Sequence, residues 1–275
     1  MSDTLIENRQ VAICLPFYKT TNPRTAFALL SMVDRKRMSI SLDFGDAAIW
    51  HSRNKLADNF LRSGLEWSLW VDDDMLPPFG NASLFNSYTG FDLPDKFAGM
   101  HGIDRLLSHS KTLVGGLYRG RWPQGRPVFA EGPRLEKWVN EQPRDEIRQT
   151  EWLGFGFILV HKTVFLDIEK TFPDLARKPD GNGGQWFSPS EHDLVKSVDA
   201  ALKSLKELSS LEEAQRILEE GLRLSRRRSG LGVGEDVVFS RRAAQAGHQP
   251  FIDLGCICGH LGDYMYGFPR IKKVL

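Results

Sequence analysis

The strongest constraint on this chain is a pair of short apolar runs held apart by an amphipathic stretch: QVAICLPFY (10–18), GDAAIWHSRNKLADNFLRSG (45–64), then LEWSLWV (65–71). The outer runs have the length and apolar content of buried strands, and Pro16 is expected to end the first because it cannot donate to a sheet ladder. Between them Ala48, Leu56 and Phe60 recur at helical spacing, and Gly64 suits the helix C-terminus. Strand, helix, strand in this order predicts an α/β sheet with largely parallel strands.

The second run stops abruptly on charge, in LWVDDDMLPP (69–78). Ligands of α/β sheets bind outside the carboxyl ends of the strands. Asp72, Asp73 and Asp74 therefore fall where a site is expected, as does PFYK (16–19) after the first run.

Further along, KTLVGGLY (111–118) reads as a strand whose Gly115 and Gly116 permit close approach of a ligand or another backbone. EWLGFGFILVHKTVF (151–165) reads as a strand running into a short helix, with Gly154 and Gly156 alternating with aromatic residues. GEDVVFSRRAAQAG (234–247) predicts a helix closed by Gly247, and QPFIDLGCICGHLGDYMYG (249–267) a last strand and a tail. From about 190 to 228 Leu194, Val198, Leu202 and Leu205 keep helical spacing, and Ser210 with Glu213 forms a capping box that opens a second helix. That stretch is expected to be a helical hairpin inserted into a single domain spanning 1–275.

Lys and Arg number 36 against 35 Asp and Glu, so no overall field draws the chain to nucleic acid or an anionic membrane. With 41% hydrophobic residues, disorder as the dominant state is excluded. No run approaches the ~18 apolar residues of a membrane span, and MSDTLIENRQ lacks the apolar centre of a signal peptide. The expected location is cytoplasmic. Cys256 and Cys258 have one residue between them, which is neither a zinc nor a redox spacing, so they and Cys14 are expected to be small buried hydrophobes.

Three groups have chemistry to offer: the aspartate triplet, the helix-opening pair Glu235 and Asp236, and His260. Carboxylates and an imidazole suit Mn2+ or Mg2+, and such an ion can bridge the oxygens of a diphosphate. Each group also has a structural reading, as a solvated turn, as acids favourably placed at a helix N-terminus, and as a structural histidine.

Taken in order, the motifs resemble a glycosyltransferase of the GT-A fold, in the nucleotide-diphospho-sugar transferase superfamily. LPFYK is similar to that family's first-strand end, SRNKLADNF to its nucleotide-side helix and WVDDDM to its Asp-x-Asp metal motif. WLGFGFILVHKTVF resembles the acceptor-side strand, GEDVVFSRRAAQAG the Glu-Asp helix, and CGHLG the late histidine that completes the metal site in some members. The likeness covers about residues 10 to 265 apart from the insertion and is closest to family-two-like enzymes, phage-encoded ones included.

The resemblance implies a GT-A (Rossmann-like) mixed, mostly parallel sheet flanked by helices. It implies Pro16, Phe17 and Tyr18 at the nucleoside, Arg53 and Asn54 near the nucleotide with Arg53 on a phosphate, and Asp72 on ribose or metal. Asp74 and His260 would be metal ligands, Asp73 a donor-side residue without a firm role, and Gly154, Phe155 and Gly156 the acceptor wall. In an inverting enzyme Asp236, or next Glu235, would be the base. The implied donor is a nucleotide sugar such as a UDP-sugar, with Mn2+ or Mg2+. The acceptor is a saccharide, a protein or a hydroxymethylated base of phage DNA, and with a phage source the location becomes the host cytoplasm. Arg226–Gly230 with Arg241 and Arg242 could follow a phosphate backbone or serve as solvated helix ends. Two competing readings are a haloacid-dehalogenase-like phosphatase, for which Leu76 and the preceding strand are out of pattern, and a metal- or nucleotide-binding scaffold without turnover.

Overall fold

A computed structural model describes residues 10–17, 21–33, 38–44, 49–121, 128–130, 145–178, 183–188, 234–262, 264–265 and 272–273. Tyr18 and the expected insertion at 190–228 lie outside these residues.

The core is one mixed sheet. Its strands are β1 (Val11–Phe17), β2 (Met38–Phe44), β3 (Trp67–Val71), β5 (Leu113–Leu117), β7 (Ile147–Gln149), β9 (Phe157–His161) and β10 (Phe251–Ile257), in the order β2-β1-β3-β9-β5-β10-β7. Short strands β4 (Met75–Leu76), β6 (Phe129–Ala130), β8 (Trp152–Leu153) and β11 (Gly259–His260) form two small two-stranded pairings, β4 with β11 and β6 with β8. The main helices are α1 (Pro23–Met32), α2 (Ile49–Ser63), α3 (Ala82–Thr89), α4 (Asp95–Ala98), α5 (Gly102–Ser108), α6 (Lys162–Thr171) and α7 (Glu235–Gln245). No helix among the described residues is long and apolar enough to cross a membrane.

The sheet pairings make β2, β1 and β3 mutually parallel and β5 parallel to β10, while β9 runs antiparallel between β3 and β5 and β7 antiparallel at the edge beside β10. The expected mixed α/β sheet is present. Because β9 is reversed, its amino end, with Phe155 and Gly156 just before it, meets the carboxyl ends of β3 and β5. One rim of the sheet thus gathers Asp72, Tyr118 and the Gly154–Phe155–Gly156 turn.

Pro16 does not end β1, which runs on through Phe17. Pairing with β3 stops at Cys14, whereas pairing with β2 continues to Phe17, so at Pro16 one flank of the strand has no ladder to break. The strand β2 carries a readable signal, since Met38, Ile40, Leu42 and Phe44 alternate with Ser39, Ser41 and Asp43. Helix α1 is announced by Asn22, whose side chain accepts from the Arg24 N–H at 2.9 Å, and by Pro23 in its first turn.

All three cysteines are buried free thiols, as expected of small hydrophobes. Beneath the rim, Trp70, Phe155, Phe165, Phe187 and Phe239 form an aromatic block, with Phe187 and Phe239 stacked at 4.5 Å and Phe155 edge-on to both at 4.9 Å. This block gives the rim an apolar floor, which bears on the charges above it.

Candidate functional site

Helix α2 buries the stripe Arg53, Leu56, Ala57 and Phe60 against the sheet, and the arginine in that stripe has to find charge. Its guanidinium, 2% exposed, lies 5.1 Å from the centre of the Phe155 ring. Nη2 donates to Asp72 Oδ1 at 3.0 Å, and Nη1 donates to Glu235 Oε1 at 2.8 Å and to Asp236 Oδ1. One buried cation therefore ties the aspartate triplet to the helix-opening pair, Glu235 lying 182 residues from Arg53 in the chain.

Each acid is positioned by backbone. Asp72 follows β3; its N–H donates to Gly156 O at 3.1 Å and its carbonyl accepts from Met75 N–H at 3.1 Å, closing the turn that carries the triplet. Glu235 and Asp236 occupy the first turn of α7 behind Gly234, where the helix dipole favours them. The Asp236 Oδ2 also accepts from Phe155 N–H at 3.3 Å. Burial pushes the Asp236 carboxyl up to about 7; Arg53 pulls against this, while Glu235 and Asp72 raise it further. Burial would lower the pKa of Arg53, but Asp236, Asp72 and Glu235 outweigh it and hold the guanidinium charged.

Asp74 sits apart from this cluster. The pairing of β4 with β11 sets His260 opposite Met75, and Leu261 N–H donates to Asp74 O at 2.7 Å. As a result His260 Nε2 lies 3.4 Å from Asp74 Oδ2, and Arg121 Nη1 forms an ion pair with the same oxygen at 2.8 Å. The other imidazole nitrogen, Nδ1, is 2.6 Å from the Arg119 carbonyl, which can only accept, so Nδ1 carries a hydrogen. On a neutral ring Nε2 then presents a lone pair to a carboxylate oxygen. A proton on Nε2 or a cation between the two atoms removes that conflict.

That donor set, an imidazole oriented by a backbone carbonyl beside a carboxylate, fits one edge of a divalent-cation site. Asp72, the third expected ligand, is turned into Arg53. Among the described residues no three His, Cys, Asp or Glu side chains are grouped so as to hold a metal ion.

Tyr118 joins the two halves. Its ring meets His260 edge-on at 5.6 Å, and its hydroxyl accepts from Gly156 N–H at 2.9 Å. This explains the alternating glycines: a Cβ on residue 154 would fall 2.1 Å from the Tyr118 hydroxyl, and one on residue 156 would fall 2.7 Å from Tyr118 Cζ. Gly154→Ala is expected to cost about 1–3 kcal/mol through overpacking, measured by chemical denaturation.

Several expected residues stand elsewhere. Asn54 is buried, donating to Ser188 Oγ at 2.8 Å and accepting from Phe187 N–H at 3.0 Å, so it holds the 183–188 segment rather than joining the acids. Both terminal nitrogens of Arg53 are committed to carboxylates, while its buried Nε has no hydrogen-bond partner among the described residues. The Asp73 carbonyl accepts from Asn22 N–H at 3.1 Å, which anchors the start of α1. Pro16 and Phe17 lie at the end of β1, on the rim. Arg242 does not extend to solvent: it is 1% exposed and donates to the carbonyls of Gln185, Trp186 and Ser188, so it cannot follow a phosphate backbone. Residues 226–230 are outside the described residues.

No protein-family model matches this chain, and no curated protein matches it by sequence. Among solved structures it is similar to that of A197 from STIV, with 10% identity, a TM-score of 0.49 and coverage of 97% of this chain and 94% of that one. It is also similar to a glycosyltransferase involved in the glycosylation of the major capsid of PBCV-1, with 14% identity, a TM-score of 0.31 and coverage of 62% and 68%. Likenesses of this degree do not carry an activity from one chain to another.

Proposed function

We propose that this chain is a glycosyltransferase that moves a sugar from a nucleotide diphosphate to an acceptor hydroxyl. The observation that carries the reading is the meeting, on one rim of an α/β sheet, of the Arg53-linked acids Asp72, Glu235 and Asp236 with the Asp74–His260 pair. The order of the motifs, similar to that of GT-A enzymes, supports it.

In this reading the two groups divide the work. Asp74 and His260, with Asp72 once released from Arg53, would hold Mn2+ or Mg2+, and such an ion supplies Lewis-acid stabilisation of the departing diphosphate. Asp236 takes the proton from the attacking acceptor hydroxyl, with Glu235 beside it. A carboxyl raised to about 7 is well matched to that task at neutral pH, being a stronger proton acceptor than an ordinary aspartate while still substantially ionised. Arg53 holds Asp236 and Glu235 in place and opposes the burial that raises the Asp236 carboxyl. The Gly154–Phe155–Gly156 turn lines the acceptor side, and Phe155 N–H fixes the second Asp236 oxygen. An attack assisted from this side gives inversion at the anomeric carbon. Nucleoside contact falls to the end of β1 at Pro16 and Phe17.

The deciding experiment offers a mixture of sugar nucleotides with Mn2+ or Mg2+ to saccharide, peptide and hydroxymethylated-DNA acceptors and reads the products by mass spectrometry. A glycosylated acceptor is expected, and it identifies donor and acceptor together. If no sugar nucleotide is bound, hydrolysed or transferred, the reading fails. Calorimetric titration of Asp74→Ala with Mn2+ is expected to show an affinity at least about tenfold weaker than wild type; an unchanged isotherm removes Asp74 from the ligand set.

A further inference from the structure

Arg53 is buried, and even with Asp72 released its Nη1 still holds Glu235 and Asp236, so a guanidinium that meets the donor from solvent has to come from elsewhere. The segment that follows β5 offers one. Tyr118 packs on the His260 ring, the Arg119 carbonyl holds the His260 Nδ1 hydrogen, and Arg121 Nη1 pairs with Asp74 Oδ2 at 2.8 Å. Three of the four residues 118–121 therefore bear on the Asp74–His260 pair, the side of the site assigned above to the diphosphate.

The two arginines of the site are in opposite situations. The Arg53 side chain is 2% exposed with both terminal nitrogens on carboxylates, whereas that of Arg121 is 59% exposed and has Asp74 as its one ion-pair partner among the described residues. A guanidinium has five N–H donors in a planar fork suited to phosphate oxygens. An ion pair this exposed is weak, so exchanging Asp74 for a phosphate carries little penalty. Asp72, Asp74, Glu235 and Asp236 also gather negative charge where a dianion would enter, so a guanidinium beside the metal proposed there lowers the repulsion further.

We propose that Arg121 is a phosphate-binding residue of the donor site, resting on Asp74 in the free protein and passing to a diphosphate oxygen when the nucleotide enters. This rests on the transferase reading and names the residue that recognises its leaving group.

The test is calorimetry of wild type, Arg121→Ala and Arg121→Lys with UDP, GDP, CDP and ADP, each beside its parent nucleoside, with thermal melts to verify that the variants fold. For whichever diphosphate binds wild type, Arg121→Ala is expected to weaken it about tenfold or more while leaving the nucleoside unchanged, and Arg121→Lys to recover part of the loss. Equal diphosphate affinity in wild type and Arg121→Ala overturns the assignment and leaves the transferase reading standing. An equal loss for nucleoside and diphosphate also overturns it, because the effect would then not lie at the phosphates. If wild type binds none of the four diphosphates, the transferase reading falls and this assignment with it.

Discussion

Asp236→Asn is expected to cut sugar transfer by about 10²- to 10⁴-fold while leaving donor affinity nearly unchanged. The asparagine keeps the size of the side chain and an oxygen for the Phe155 N–H, so the first turn of α7 should hold its place. What it loses is the capacity to accept a proton. The active form of the wild-type group is the carboxylate, so the rate should rise as pH climbs through the region near 7 and level off above it. That acid limb should be missing from the residual activity of the variant. Glu235→Gln is the comparison: Glu235 Oε1 meets Arg53, and its neighbour bears the raised pKa. If Glu235→Gln loses transfer and Asp236→Asn does not, the base is Glu235.

Arg53→Ala should have the largest effect on stability, a loss of about 3–5 kcal/mol by chemical denaturation at neutral pH. Removing the guanidinium leaves Asp72, Glu235 and Asp236 crowded over the Phe155 ring without their counter-charge. The repulsion is relieved by taking up a proton, so the Asp236 pKa in the folded variant, without Arg53 to lower it, must rise above the value of about 7 in wild type. The deficit should therefore shrink as pH falls and the acids protonate, and grow as pH rises through 7 toward the raised pKa of Asp236 in the variant. Arg53→Lys should recover little, because a single ammonium lacks the fork that reaches oxygens on two sides at once. Wild-type denaturation by Arg53→Ala at neutral pH would mean that the cluster contributes nothing net to folding.

Much of the scaffold was legible in the sequence. The apolar runs that became β1, β3, β5 and β10, the helices α2 and α7 with their terminal glycines, and the placing of acids just past β3 follow from local chemistry: short buried runs, helical spacing, and charge where the chain leaves the core. The strand β2 was equally open to reading, through its alternation of apolar with serine and aspartate positions. The reversal of β9 was not, because an apolar run such as FILVH has the same pattern in either direction.

The site was only half legible. Its acids stood out because charge beside an apolar run is conspicuous, and the glycines at 154 and 156 because they alternate with aromatics. Arg53 was identified as a residue of interest, with a phosphate as its partner. The one local clue to its actual partners is its place in the buried stripe with Leu56, Ala57 and Phe60, where an arginine needs carboxylates. The stretch GGLYRGRWPQGRP (115–127), with its arginines and aromatic residues, reads as able to contact donor or acceptor, but composition does not name the partners of Tyr118 and Arg121, which lie far away in the chain.

By itself, then, the sequence determined which segments are buried and which side chains could do chemistry, because both depend on the residue and its near neighbours. Tertiary structure alone decided their partners. Sheet order and the reversal of β9 bring the end of β3, the turn before β9 and the start of α7 to one rim, and the β4–β11 pairing sets His260 at Asp74. Asp72 is thereby bound to Arg53 and Asp74 to Arg121, so two acids that look equivalent in VDDD come to have different work.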